Sequence, residues 1–521
     1  MLLEAALSQG LQQWPGMLIL LLSIYLASNY YHKGLNKYPG PFLGALTNWW
    51  RFFDVLSRRP DITHRKLHQK HGDIVRLGPN VLSFANPNAV KTIYGLNKGF
   101  IKSKFYPVQM AVAKGKPVPS LFNTQDETFH ANLRRCVNSA FSMSALVQYE
   151  PMIDKTTELF LDQTSKIYAS TGKVCDFSKW LQFYAFDVIG SITYSKRHGF
   201  IERNEDVDGI TAWIQGLFSY AGPVGQMPWL DKLLRKNPIL ALLDRCGLID
   251  NTFAVAKFAK ARMAERLAEM ESNSNEGKDA HHGRGDLLSM FLKAQELRPD
   301  FMNDTRVLGM ATSMAFAGSD TTAISLSAVF YYLLKNPQCY KKLLEELGQA
   351  VKLGTIENRP TGLVSWSESQ KLPYLDACIK EALRLHPAAG LPLERIVPPQ
   401  GIEICGEFIP GGTIVGCSAW ILHRREEVFG DQVEEYRPER WLDAEPAKLK
   451  EMNGTMFQFG AGSRTCIGKN ISLMEIYKLV PSFLRRFEVR LADPQREWKL
   501  HNAWFVKQKE FYVTFKPREC W

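Results

Sequence analysis

A chain of 521 residues that is 45% hydrophobic and 22% charged can bury a large core, which excludes a disordered or fibrous class. Its net charge of +11 comes from scattered Lys and Arg with no recognition motif or basic helix, so it points to acidic proteins or anionic lipid and not to nucleic acid. Nine cysteines without a CxxC pair or regular spacing exclude zinc and a secreted disulfide framework, and fit a domain in reducing cytosol.

From Ala5 to Tyr31 no residue is charged, and 17–27 is almost wholly apolar, with Trp14 ahead of it and Tyr30, Tyr31 and Lys33 behind. This pattern predicts an N-terminal transmembrane helix that must recruit 11–31 to reach the ~20 residues of a full span. A cleaved signal peptide is the rival reading. No Lys or Arg precedes the apolar run, whereas Lys33 and Lys37 follow it, which favours an uncleaved anchor with the body in the cytoplasm. Residues 1–38 are therefore expected to be anchor and hinge, with Pro39-Gly40-Pro41 a stiff turn. Residues 39–521 are expected to be one catalytic domain, because no Pro/Gly/Ser linker divides them.

Residues 74–77 and 81–84, joined across Gly78-Pro79-Asn80, predict a β-hairpin, and 402–417, punctuated by Gly406 and Pro410-Gly411-Gly412, a second. Helical periodicity over 151–166, 250–271, 306–334 and 372–385 makes the fold mainly α with small β-sheets. The low-complexity run 272–285 reads as an exposed loop. The stretch 307–334 carries one charge, Asp320, within Ala317-Gly318-Ser319-Asp320-Thr321-Thr322. A second membrane span is the plain reading of that stretch, but its Ser and Thr residues and central acid favour a helix through a soluble core, where the acid needs a reason. Glu381 and Arg384 lie three apart on one helix face and can pair, and Pro438-Glu439-Arg440-Trp441 follows. Last comes Phe459-Gly460-Ala461-Gly462-Ser463-Arg464-Thr465-Cys466-Ile467-Gly468. Its glycines let backbone pass close to a flat macrocycle, Arg464 can meet a carboxylate, and Cys466 precedes an apolar run from Ile471 that reads as a helix. An anion is favoured at such a helix N-terminus, so the loop suits a thiolate bound to haem iron.

Taken in this order, the segments resemble the cytochrome P450 family of haem-thiolate monooxygenases. Trp180-Leu181-Gln182-Phe183-Tyr184-Ala185-Phe186-Asp187 and Glu394-Arg395-Ile396-Val397-Pro398 look like fungal microsomal secondary-metabolite members similar to pisatin demethylase. The resemblance implies the cytochrome P450 fold and haem b (iron protoporphyrin IX), with Cys466 as its axial iron ligand within the loop of Phe459, Gly460 and Gly468. It implies that Arg464, Arg134 and Arg395 meet the propionates, with His130 standing where the family usually has Trp. Gly318 would leave room for oxygen, and Thr321 and Asp320 would deliver protons for O–O cleavage. Thr321 merely bonding the carbonyl one turn back is the alternative. Glu381, Arg384 and Arg440 would form a buried structural triad, and Ala317, Ala388, Leu391, Leu393, Trp504 and Phe505 would line a pocket for a lipophilic substrate.

With no recognisable flavin or nicotinamide domain, electrons for the use of O2 are expected from an NADPH-cytochrome P450 reductase. The implied setting is the endoplasmic reticulum membrane, single-pass, with a cytosolic catalytic domain. A haem-thiolate isomerase or dehydratase needing no external electrons, and a non-catalytic membrane-anchored haem binder, are the competing functions.

Overall fold

The computed structural model describes residues 2–113, 115–249, 254–275 and 285–518. Helix α1 (Leu2–Tyr30) runs unbroken through Pro15. Its Trp14, Met17 to Leu22, Ile24 and Tyr25 side chains are all exposed. Among the described residues, no helix is long and apolar enough to cross a membrane. The far end of α1 is tied to the body. Arg76 donates to the carbonyls of Tyr30 at 2.8 Å and Asn29 at 2.7 Å, satisfying acceptors that a helix end leaves open. The Pro39-Gly40-Pro41 turn is stiff because it lies against the same strand. Arg76 N–H donates to the Pro39 carbonyl at 2.8 Å, and a Cβ on Gly40 would come within 2.1 Å of the Arg76 carbonyl oxygen.

Strands β1 (Ile74–Gly78), β2 (Val81–Phe84), β3 (Ile101–Lys102), β4 (Arg395–Ile396) and β5 (Ile414–Cys417) form one mixed sheet, ordered β1-β2-β5-β4-β3. The first predicted hairpin is β1 and β2. The second is shorter than expected, since only Ile402–Ile404 and Glu407–Ile409 pair. Strand β5 turns away at Gly412, whose φ is +75°, and runs parallel to β2 with Ile414 opposite Val81. That exchange buries Val415 and Cys417 completely, which an isolated hairpin would leave half in water.

The helices that position the site are α2 (Glu127–Val137), α3 (Met143–Thr164), α4 (Phe177–Tyr194), α5 (Asp304–Lys335), α6 (Pro373–Leu385) and α7 (Lys469–Arg486). Helix α3 starts earlier than its periodicity predicts because Ser142 caps it, accepting from Ala145 N–H, and Pro151 is absorbed within it. The helix expected over 250–271 is seen as Ala254–Asn275. Residues 250–253, and most of the loop expected over 272–285, lie outside the described residues. Helix α5 has 32 residues, about 48 Å, and opens on an Asn303 cap. It passes through the core with most of its side chains buried, against an α4 that is itself almost wholly buried, so it is a core helix.

Candidate active site

The loop that carries Cys466 is shaped by its own backbone. Cys466 N–H donates to the Phe459 carbonyl at 2.9 Å and Gly460 N–H to that of Phe457 at 2.9 Å, so the chain folds back around the thiol. Gly460 and Gly462 both sit at positive φ, +68° and +67°. A Cβ on Gly462 would strike the Tyr94 carbonyl at 1.7 Å. Gly468 caps α7 without a side-chain acceptor, leaving its first amides free to face the sulfur. Cys466 is exposed at the end of this loop. Burial pushes the thiol above its ordinary range, while the N–H groups of Gly468 and Lys469 and the charge of Arg134 pull the other way.

Five basic side chains gather above this loop. Arg134 donates to the Thr465 carbonyl at 2.8 Å, whereas its neighbour Arg135 points outward to Asn132, which separates the two. Buried Arg395 donates to the Glu394 carbonyl at 2.9 Å and lies 5.0 Å from the Tyr94 ring. Arg464 does meet a carboxylate, that of Glu127 at 2.6 Å, together with the Leu121 and Thr124 carbonyls at 3.1 Å. His130 is buried beside them. Burial first, then the charges of Arg464, Arg134, Lys102 and Arg395, hold its imidazole down to about 3, so it is neutral and can donate an N–H. The sequence reading missed Lys102 and Glu127, because nothing in a two-residue strand or a helix's first residue marks them as site residues.

The donor set fits haem. Three arginines and one lysine around one carboxylate are short of negative charge, and two propionates would supply it. A soft thiol flanked by free amides would hold the haem iron.

Helix α5 presents Ala317 exposed and Gly318 and Thr321 half-buried, in the middle of a helix largely sunk in the core. Thr321 Oγ1 donates to the Ala317 carbonyl one turn back at 2.9 Å. Asp320 turns away from that face. It is buried and receives Gln182 of α4 and Lys507, whose Nζ lies 3.2 Å from Oδ2. Gly318 answers to packing: a Cβ there would lie 2.8 Å from Cδ1 of Ile189 on α4, so the missing side chain admits Ile189. Thr322 Oγ1 donates to Ser472 at 3.0 Å and ties α5 to α7 just past the cysteine loop.

Glu381, Arg384 and Arg440 do form one buried cluster. Arg384 grips Glu381 through Nε and Nη2, both at 2.8 Å, and Arg440 Nε donates at 2.9 Å. Trp441 Nε1 and Arg437 N–H complete the carboxylate's shell at 2.9 and 3.1 Å. Burial alone would raise the Glu381 carboxyl, but the bonds and charge of Arg384 and the charge of Arg440 outweigh it and hold the group low. The link to the cysteine loop is His423, absent from the sequence reading. It sits 3.0 Å from the Arg384 carbonyl through Nδ1 and accepts Phe457 N–H at 2.7 Å through Nε2.

Of the expected pocket residues, two loops set Ala388, Trp504 and Phe505 along one strip of paired backbone. Val506 N–H donates to the Ala388 carbonyl at 2.9 Å and Gly390 N–H to that of Trp504 at 2.8 Å. Ala388, Leu393 and Phe505 are half-buried, whereas Leu391 and Trp504 are buried in the core. Trp504 packs against Phe105 at 4.8 Å, and Phe505 against Phe218 at 4.7 Å, so the wall is aromatic and apolar.

Comparison with known proteins agrees with this geometry. The family model described as Cytochrome P450 matches residues 41–515. Cytochrome P450 monooxygenase cicH of Emericella nidulans is 42% identical over 502 residues, covering 96% of this chain and 98% of its own. A cytochrome P450 monooxygenase of Aspergillus terreus is 44% identical over 451 residues, covering 87% and 89%. Cytochrome P450 monooxygenase asR2 of Sarocladium schorii is 36% identical over 487 residues, 93% of each chain.

Proposed function

The chain belongs to the cytochrome P450 family of haem-dependent monooxygenases, and on that premise we propose that it is a haem b enzyme inserting one oxygen atom from O2 into a lipophilic small molecule of fungal secondary metabolism. The observation that carries the reading is Cys466 set against the free amides of α7 beneath a cluster of cations. When bound, haem supplies the iron at which O2 is activated for transfer to carbon. Cys466 presents the ligand sulfur, and the Gly468 and Lys469 amides temper its charge. Arg134, Arg395, Arg464 and His130 hold the propionate side. Thr321 offers a hydroxyl on the accessible face of α5, and Asp320 with Lys507 supplies proton-exchanging groups one residue away. Ala317, Ala388, Leu393 and Phe505 exclude water around the substrate.

Electrons come from an NADPH-cytochrome P450 reductase, a reading supported by the family match and by the monooxygenase names of the relatives. Helix α1 is the membrane anchor, at the endoplasmic reticulum with the catalytic domain cytosolic. Its exposed apolar side chains, followed by Lys33 and Lys37, support that placement. The test is the carbon monoxide difference spectrum of the reduced protein, followed by NADPH consumption with reductase and candidate substrates. Wild type should give the thiolate Soret signature and Cys466→Ala should lose it. A thiolate spectrum in Cys466→Ala, or turnover unaffected by omitting reductase, would overturn the reading.

A further inference from the structure

Just past the helix Trp49–Leu56, the backbone of Arg58 sits in the left-handed region at φ +66°, an uncommon place for arginine. Two hydrogen bonds tie it to the elements that build the pocket. Asn502 N–H donates to the Arg58 carbonyl at 2.9 Å, and Arg58 Nη2 donates to the Ser219 carbonyl at 2.9 Å. Ser219 follows Phe218, whose ring packs on Phe505 at 4.7 Å and on Phe316, the neighbour of Ala317, at 5.4 Å. The guanidinium is therefore bound one residue from the aromatic pocket wall, and its Nη1 is buried without a partner. His501 lies next to Asn502 and opposite Lys507 on the paired strand, and its Nε2 is likewise buried and unpartnered. Burial first, then the charges of Lys509, Arg58 and Lys507, hold its imidazole down to about 4, so it is neutral and can donate an N–H. Among the described residues no carboxylate pairs with Arg58 or His501. The acids around them are engaged elsewhere: Asp54 with His64 at 3.1 Å, Asp61 with Arg59 at 3.0 Å and Asp320 with Lys507 at 3.2 Å. A guanidinium N–H group buried and open, with a second open ring nitrogen and no counter-charge, is costly until an anion joins it.

We propose that Arg58 and His501 form an anion-binding end of the substrate site, which takes a carboxylate carried by the lipophilic substrate. The inference rests on the monooxygenase reading above and deepens it, narrowing the substrate class to lipophilic acids. The carboxylate accepts from Arg58 Nη1 and His501 Nε2, and the apolar remainder runs past Phe218 and Phe505 toward Ala317.

The test uses the haem-loaded full chain and ω-imidazolyl fatty acids from octanoate to dodecanoate, each set against the alcohol of the same length. Binding is read from the Soret shift as the imidazole meets the iron. At the best-fitting length, wild type should bind the acid about tenfold more tightly than the alcohol, the gain expected for one charge-assisted bond. Arg58→Met should bring that ratio close to one, Arg58→Lys should keep part of it, and His501→Phe should lower it by a smaller step. A purely structural role for Arg58 would not move the ratio. If Arg58→Met does not accumulate, Arg58→Asn, which tolerates the left-handed region, carries the same expectation. Equal affinity for acid and alcohol across the series in wild type, or an unchanged ratio once the guanidinium is removed, overturns the proposal. Absence of any Soret shift with imidazole itself would instead refute the haem-thiolate reading, so the two failures are distinguishable.

Discussion

Glu381→Gln removes one charge and almost no volume, and its effect follows from the five donors the carboxylate accepts. Oε1 receives Arg384 Nη2, Arg440 Nε and Arg437 N–H, and Oε2 receives Arg384 Nε and Trp441 Nε1. An amide has one oxygen, so even in its better orientation two buried donors face an NH2 group. Each stranded donor costs about 1–3 kcal/mol, and breaking a buried ion pair about 3–5 kcal/mol in total. A loss of about 3–5 kcal/mol is expected in equilibrium urea unfolding, a large share of the ~5–15 kcal/mol a domain possesses. The thiolate spectrum should weaken with it, because His423 passes the position of Arg384 to Phe457 in the cysteine loop. The pH dependence has a definite sign. The Glu381 carboxyl is held below its unfolded value, near 4.3, so its contribution is complete above that pH and disappears as pH falls through the lower folded value. Wild type should therefore show an acid phase below about pH 4 that the variant lacks. A loss under about 1 kcal/mol with an intact spectrum would refute the reasoning.

Gly318→Ala should lower thermal stability by about 1–3 kcal/mol through overpacking on Ile189, and Ile189→Ala in the same chain should restore part of it. Full stability with lost turnover would show that Gly318 serves the oxygen side instead. His423 is neutral when folded, with its imidazole pressed down to about 3 by burial, against about 6.5 unfolded. Its contribution is thus lost as pH falls from about 6.5 toward 3, at up to ~1.4 kcal/mol per pH unit, and the stability slope of His423→Gln should be shallower by that amount. Lys507→Met leaves Asp320 buried with only Gln182, so NADPH consumption per product formed should rise, and unchanged coupling would remove the pair from proton delivery.

Local, self-contained signals were legible in the sequence. The hairpin across Gly78-Pro79-Asn80, the long helix through Asp320 and the Glu381–Arg384 pair each depend on residues a few positions apart. What escaped depends on long-range register. Lys102 acquires its neighbours only because β3 aligns with β4, and β5 left its expected hairpin only because β2 offered a free edge. His423 looks like any loop histidine until Arg384 and Phe457 are placed on either side of it. The role read for Gly318 illustrates the same limit. Its position in the motif suggested room for oxygen, but only the approach of Ile189 shows which atoms occupy the missing Cβ's space.

These long-range links converge on the cysteine loop from three sides. His423 connects Phe457 to the ion cluster on α6, Arg134 of α2 holds the Thr465 carbonyl, and Thr322 of α5 bonds Ser472 one turn into α7. A thiol that must face an iron cannot be left to a glycine-rich loop alone, because each glycine adds backbone freedom that folding must remove. The three tethers remove it from different elements. Weakening any one should therefore blur the thiolate signature before the fold is lost, in proportion to how directly it touches residues 457–466.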